Sequence, residues 1–272
     1  MPVATNGNVT LFHEEYGSPN DPALVLVNGL GNQCIGFRDE FCESFVARGY
    51  RVIRFDNRDV GLSSDCVDGY SLSDMAGDVV AVLDTLRIER AHVMGFSLGG
   101  MIVQTAAIEH SSRLLSATSV MSTTGDPDVG HPTPAARDLL LRRGSTDRES
   151  AIQAHLAGQR TWGSPDHVEW DVQTRLAGEF FDRACRPDGV ARQYQAARRD
   201  GSRTARLATV SLPFLVLHGT ADTLIDISGG RRTAEAVPGA RFVAIEGMGH
   251  DYPHHFWPRL VSEFDDFVRS GA

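Results

Sequence analysis

The sequence contains no lysine: all 26 of its basic residues are arginine. That excludes chemistry built on a protein ε-amine, such as a Schiff base to pyridoxal phosphate, and it excludes the lysine of a Walker-type phosphate loop. Cysteine is scarce too. The four present, Cys34, Cys42, Cys66 and Cys185, are irregularly spaced and form no CxxC pair. They are expected to be unbridged thiols of a reducing, cytoplasmic compartment. No apolar run approaches the ~18 residues of a membrane span. The opening MPVATNGNVT lacks the basic start and apolar stretch of a secretory leader, so none is expected. Positive charge is short as well, with 26 basic residues against 35 acidic ones and a formal charge of −9. Nucleic acid and anionic membrane are therefore poor partners.

What is present is enough for a large core. The 272 residues are 42% hydrophobic, and at about 150 residues per domain they make one large domain or two modest ones. A chain of this size buries roughly 70–75% of its unfolded surface and needs no disulfide or metal staple.

The hydrophobic pattern divides the chain. Val9–Tyr16, the apolar run ALVLVNG at 23–29 and RVIRFDN at 51–57 predict strands, the latter two buried on both faces. Helical spacing over 37–48 and over Ser71–Leu86 falls between and after them. A strand at 91–97 runs into a helix at 98–110, and a further strand is predicted near Leu114–Met121. Such alternation implies a parallel sheet covered by helices on both faces. From 122 to 211 the strands cease, and four helical segments are predicted near 134–143, 148–161, 166–185 and 188–206. This stretch reads as an inserted helical cap on a core formed by 1–121 and 212–272. Charge divides the same way, with 13 Arg and 12 acidic residues inside 122–211 against 13 and 23 outside it. Alternation resumes with a strand at 213–219, a helix near 228–236, a strand within 240–247 and a terminal helix from about Pro253 to Arg269.

The most specific motif is Gly95-Phe96-Ser97-Leu98-Gly99, where a strand must turn directly into a helix. A serine there is held in a strained conformation that exposes its hydroxyl, and the turn is too tight for a Cβ two residues before or after it. Gly95 and Gly99 leave that space. The free N–H groups and partial positive charge of the following helix favour an oxyanion beside Ser97. A serine hydroxyl also needs a base, itself oriented by a carboxylate. HGTAD at 218–222 follows one late strand and GMGH at 247–250 the next, so Asp222 and His250 belong to loops at the sheet edge that carries Ser97. His218, His254 and His255 are rival bases; Asp126 and Asp226 are rival acids. Asp251 is expected to cap the terminal helix. Two N–H donors are needed for the oxyanion: the backbone of Leu98, and that of Leu30 in the glycine-bearing loop Asn28-Gly29-Leu30-Gly31-Asn32.

These residues make the sequence resemble the α/β-hydrolase superfamily, through GFSLG at 95–99, HGTAD at 218–222, GMGH at 247–250 and NGLG at 28–31. The loop RFDNRDVGLS at 54–63 adds to the likeness. The resemblance covers about 8–121 and 210–268 and points towards bacterial lipase- or esterase-type serine hydrolases, the aclacinomycin methylesterase kind among them. It implies a mostly parallel central sheet flanked by helices, with a cap. In that family the oxyanion loop usually reads His-Gly; here it reads Asn28-Gly29.

The expected chemistry is two-step acyl transfer from a small-molecule ester, with Ser97 as nucleophile, His250 as base and Asp222 orienting it, and with no metal or organic cofactor. Cofactor-free perhydrolysis, C–C bond hydrolysis and ligand binding without catalysis are the alternatives. Asp56, Arg58 and Asp59 are expected to hold two loops together. The arginines Arg198, Arg199 and Arg203 are expected on a solvated helix face, and Trp162, Trp170 and Trp257 in core or surface packing. The substrate's acyl length and the oligomeric state are open from sequence.

Overall fold

The structure, a computed structural model, describes residues 2–142 and 144–271. Ala23–Val27 is buried at all five positions, as a strand covered on both faces must be, and it lies near the middle of the sheet. The strands are β1 (Val3–Asn6), β2 (Val9–Tyr16), β3 (Ala23–Val27), β4 (Arg51–Phe55), β5 (Ala91–Phe96), β6 (Leu114–Val120), β7 (Phe214–Gly219) and β8 (Arg241–Ile245). They run in the order β1-β2-β4-β3-β5-β6-β7-β8. Strands β3 to β8 pair in parallel. The hairpin β1–β2 and the pair β2–β4 are antiparallel.

The helices are α1 (Asp39–Val46), α2 (Leu72–Thr85), α3 (Leu98–Glu109), α4 (Pro134–Leu140), α5 (Arg148–Trp162), α6 (Trp170–Arg183), α7 (Pro187–Asp200), α8 (Thr204–Leu207), α9 (Ser228–Ala236) and α10 (Trp257–Arg269). Alternate residues of β3 feed opposite faces. Val25 and Val27 join Val79, Val82, Ile102 and Val103 of α2 and α3. Leu24 and Leu26 join Phe41, Phe45, Leu260 and Phe264 of α1 and α10. At about 25 cal/mol per Å² of apolar surface, these two layers are the main source of stability. Among the described residues, no helix is long and apolar enough to cross a membrane.

The fold departs from the sequence reading in three places, two in the sheet and one among the helices. Strand β1 was not expected, because VATN is short and polar. Strands β3 and β4 stop at Val27 and Phe55, two residues early, so Asn28-Gly29 and Asp56-Asn57 leave the sheet and are free to build loops. The segment expected as one helix at 188–206 breaks at Gly201, whose φ of +66° suits glycine, into α7 and α8.

Helices α4 to α8 all fall between β6 and β7. Their own apolar cluster is small: Ile152, Leu156 and Ala177. Charge joins them to the sheet domain. Arg183 pairs with Asp56 at 2.7 Å, and Arg192 makes a two-pronged contact with Asp59 at 2.8 Å. Asp56 also accepts from Cys34 N–H and Leu62 N–H, while Arg58 binds Asp78. Two of these three loop charges therefore anchor the helical segment, beyond joining loop to loop. Arg203 corrects the sequence reading outright. It is fully buried, donating to Gln104 Oε1 at 3.0 Å, Asp200 Oδ2 at 2.7 Å and the Thr123 carbonyl at 2.8 Å.

Candidate active site

Ser97 sits between β5 and α3 with φ +58° and ψ −118°, a sparsely populated conformation that costs a non-glycine residue about 1–3 kcal/mol. Its N–H donates to the Val120 carbonyl and its own carbonyl accepts from Ser122 Oγ at 2.8 Å, so neighbouring β6 holds the bend. A Cβ on Gly95 would lie 2.1 Å from the Gly99 carbonyl oxygen, and one on Gly99 would lie 2.1 Å from the Val27 carbonyl oxygen. Neither position can carry a side chain.

His250, in the loop after β8, brings Nε2 to 2.9 Å from Ser97 Oγ. Its Nδ1 lies 2.7 Å from Oδ2 of Asp222, in the loop after β7. The carboxylate can only accept, so Nδ1 carries the hydrogen and Nε2 is left to accept from the serine; the tautomer follows from the network. The other oxygen of Asp222 accepts from Leu224 N–H and Ile225 N–H, both at 2.9 Å, which fixes the carboxylate's orientation. Burial by itself would raise the Asp222 pKa; the facing imidazole of His250, with His218 and their hydrogen bonds, outweighs burial and holds the group ionised, well below the usual carboxylate range.

Leu98 follows Ser97 at the start of α3, and Leu30 follows Gly29 in the loop that passes Ser97. Among the described residues, neither Leu98 N–H, at the start of α3, nor Leu30 N–H has an acceptor. Gly29 passes so close that its Cβ would be 3.2 Å from Ser97 Cβ and 3.7 Å from Ser97 Oγ. Asn28 is fully buried and acts as a staple for this loop. Its Nδ2 donates to the Gln33 carbonyl at 2.7 Å, its Oδ1 accepts from Gly29 N–H, and its carbonyl accepts from Asn57 Nδ2.

The rival residues have other partners. His218 lies beneath the acid loop, donating from Nε2 to the Ile225 carbonyl at 2.8 Å, with the same nitrogen 3.4 Å from Asp222 Oδ2. His254 packs edge-on to Trp257, and His255 stacks on His167. Asp126 pairs with Arg232 at 2.6 Å, and Asp226 accepts from Ser228 N–H at the start of α9. Asp251 does not cap the terminal helix; it turns away and accepts from the N–H and hydroxyl of Ser164. Trp257 is buried under the Arg38 guanidinium, and Trp170 is exposed beneath that of Arg160.

Two residues at the site were not singled out from sequence. Gln193 of α7 accepts from Gly31 N–H at 2.9 Å and donates to the Arg58 carbonyl at 2.8 Å, bracing the oxyanion loop. Ser164 braces the base loop. Both are polar residues in a stretch that reads as solvated, and nothing in the linear sequence marks their partners. Beside His250 opens a cavity of about 80 Å³ lined by Asn32, Gln159, Phe180, Tyr252 and Trp257. A larger groove of about 670 Å³, bordered by Tyr70, Asp74, Arg199 and Arg206, includes none of Ser97, Asp222 and His250. The smaller cavity is bordered by His250 and its neighbours Asp251 and Tyr252, but not by Ser97 or Asp222.

The sequence matches the family described as alpha/beta hydrolase fold over residues 22–253. It is 32% identical to the rhodomycin D methylesterase of Streptomyces peucetius, with 92% of each chain covered. Among solved structures, an esterase from Rhodococcus sp. ECU1013 superposes with a TM-score of 0.82 at 25% identity, covering 99% of this chain and 98% of the other. The enol-lactonase from Burkholderia xenovorans LB400 gives 0.81 at 25% identity, covering 98% and 100%.

Proposed function

This chain belongs to the alpha/beta hydrolase fold family, and on that premise we propose that it hydrolyses carboxylic esters through an acyl-Ser97 intermediate. The observation that carries the reading is the continuous relay from Ser97 Oγ through His250 to Asp222, with contacts of 2.9 and 2.7 Å. The named relatives, a methylesterase and an esterase, support the same bond being cleaved.

In this reading Ser97 Oγ attacks the ester carbonyl as His250 Nε2 takes its proton, and ionised Asp222 stabilises the resulting imidazolium. The tetrahedral oxyanion is held by Leu98 N–H and Leu30 N–H, each worth roughly 10²–10³ in rate. His250 then protonates the leaving alcohol. In the second half His250 deprotonates a water molecule, which attacks the acyl-serine, and the acid departs with Ser97 restored. No step calls for a metal or an organic cofactor.

We assign 122–211 as the cap over this site, since its residues Gln159 and Phe180 form one wall of the cavity. The cavity volume of about 80 Å³ is well below the roughly 300 Å³ of an ordinary ligand pocket. The 32% identity to a rhodomycin D methylesterase leads us to expect methyl esters to turn over best. A series graded by acyl length, read above and below the micelle concentration, distinguishes this from lipase behaviour. The four free thiols suit a cytoplasmic location.

The decisive test pairs fluorophosphonate labelling with turnover of methyl and p-nitrophenyl esters. The label is expected on Ser97, and Ser97→Ala should lose roughly 10⁴-fold or more in kcat while remaining folded. Labelling elsewhere, or retained turnover in that variant, would overturn the proposal. Folded, unlabelled wild-type protein would favour a non-catalytic binding role.

A further inference from the structure

His250 stands on the loop after β8, with its ring held by Asp222, but its backbone is held from the helical segment. Its backbone N–H donates to the Trp162 carbonyl at 2.6 Å. Immediately before it, Gly249 N–H donates to Ser164 Oγ at 2.9 Å. Immediately after it, Asp251 Oδ1 accepts from Ser164 N–H at 2.9 Å and from the Ser164 hydroxyl. Three consecutive residues of the base loop are thus tied to the single turn that ends α5. The approach is close: a Cβ on Gly249 would fall 2.5 Å from the Gly163 carbonyl carbon. Ser164 is fully buried, and Asp251 nearly so.

Accepting from position 249 and donating to position 251, the Ser164 hydroxyl closes a bracket around the imidazole-bearing residue. We propose that Ser164 is a positioning residue for catalysis, holding the 249–251 backbone so that Nε2 faces Ser97 Oγ when the helical segment is seated. This rests on the catalytic reading of His250. Ser164 itself does not line the cavity, though its partner Asp251 does, so the hydroxyl acts through the 249–251 loop that it brackets. Without the hydroxyl, Gly249 N–H and the Asp251 carboxylate each lose a buried partner and the loop relaxes. A shift of about 1 Å in a reacting group costs on the order of 10²-fold in rate.

The experiment compares the full-length wild type with Ser164→Ala and Asp251→Asn, with active sites titrated by a fluorophosphonate and p-nitrophenyl acetate as the probe. Ser164→Ala should lower kcat per titrated Ser97 by roughly 30- to 100-fold while KM stays within about twofold. The rate of Ser97 labelling should fall in parallel. A purely structural role would lower Tm and the number of titratable sites but leave kcat per site unchanged, and that result overturns the proposal. If Ser164→Ala does not fold, Asp251→Asn carries the test: a kcat per site reduced about tenfold or more supports the bracket, and an unchanged one overturns it. Ser97→Ala runs alongside. Turnover surviving there would sink the esterase reading itself, independently of the fate of Ser164.

Discussion

The sheet core and the helical segment proposed as its cap are stabilised by different forces. The sheet is sealed between two large apolar layers, whereas the cap has three buried apolar residues of its own in one cluster and is seated by guanidinium–carboxylate pairs such as Arg183–Asp56 and Arg192–Asp59. Burial of apolar area is insensitive to direction; a two-pronged ion pair is not. Under the proposed mechanism the sheet fixes where Ser97 sits, and polar contacts from the helical segment set the fine geometry of the loops that carry Gly31 and His250.

The contrast can be broken most visibly at Phe264, fully buried with edge-on contacts to Phe45, Tyr50 and His92. Phe264→Ala should cost about 3–5 kcal/mol in denaturant unfolding. A loss under about 1 kcal/mol would mean that the aromatic layer is not what holds the sheet. Arg183→Met comes next. It leaves fully buried Asp56 without its cation, at a cost of about 3 kcal/mol, and ester turnover should suffer with it because α6 walls the cavity. If unfolding and activity were both unchanged, the cap would not be seated by charge.

Acid probes both regions through buried imidazoles, because burial lowers the pKa of His92 and His13 in the sheet and of His155 in α5. His92 in β5 is buried against Ser116 Oγ, and burial, aided by the charge of Arg90, lowers its pKa to about 4. The unfolded chain, with an imidazole pKa near 6.5, therefore binds this proton first. The corresponding stability is complete above about pH 6.5, declines by up to ~1.4 kcal/mol per unit below it, and is gone once the pH passes about 4, for roughly 3 kcal/mol in all. Meanwhile Asp59 remains ionised: burial raises its pKa, but Arg192 and the Cys66 N–H bring it below the usual range. Urea midpoints measured from pH 7 to pH 4 should show this slope, and His92→Gln should make it shallower, leaving the part due to His13 and His155. Gln193→Leu has the smallest effect, about tenfold in kcat with little change in Tm, since it frees the oxyanion loop without opening the sheet. An unchanged rate would show that Gly31 N–H needs no cap partner.

Much of this architecture is legible in the sequence because it is local. A glycine-flanked serine between a buried strand and a helix can take few shapes, and loops after parallel strands must emerge at one edge, which is how Ser97, Asp222 and His250 come together. What could not be read depends on distant partners. Arg203 looks like part of a solvated charge run until Gln104, 99 positions away, supplies an acceptor. Asp251 resembles a helix cap until Ser164, 87 positions away, takes it over. Strand β1 is too short and polar to announce itself, and exists because β2 offers it a hairpin partner.

The elbow conformation at position 97 has a consequence for what the fold can become. The dihedral angles that present the hydroxyl are ones glycine adopts without penalty, so the residue proposed to react is also the one the backbone would most readily exchange. A Ser97→Gly molecule would keep its cavity and its cap and shed local strain, leaving an inert receptor for the same ligand a single substitution away from the enzyme.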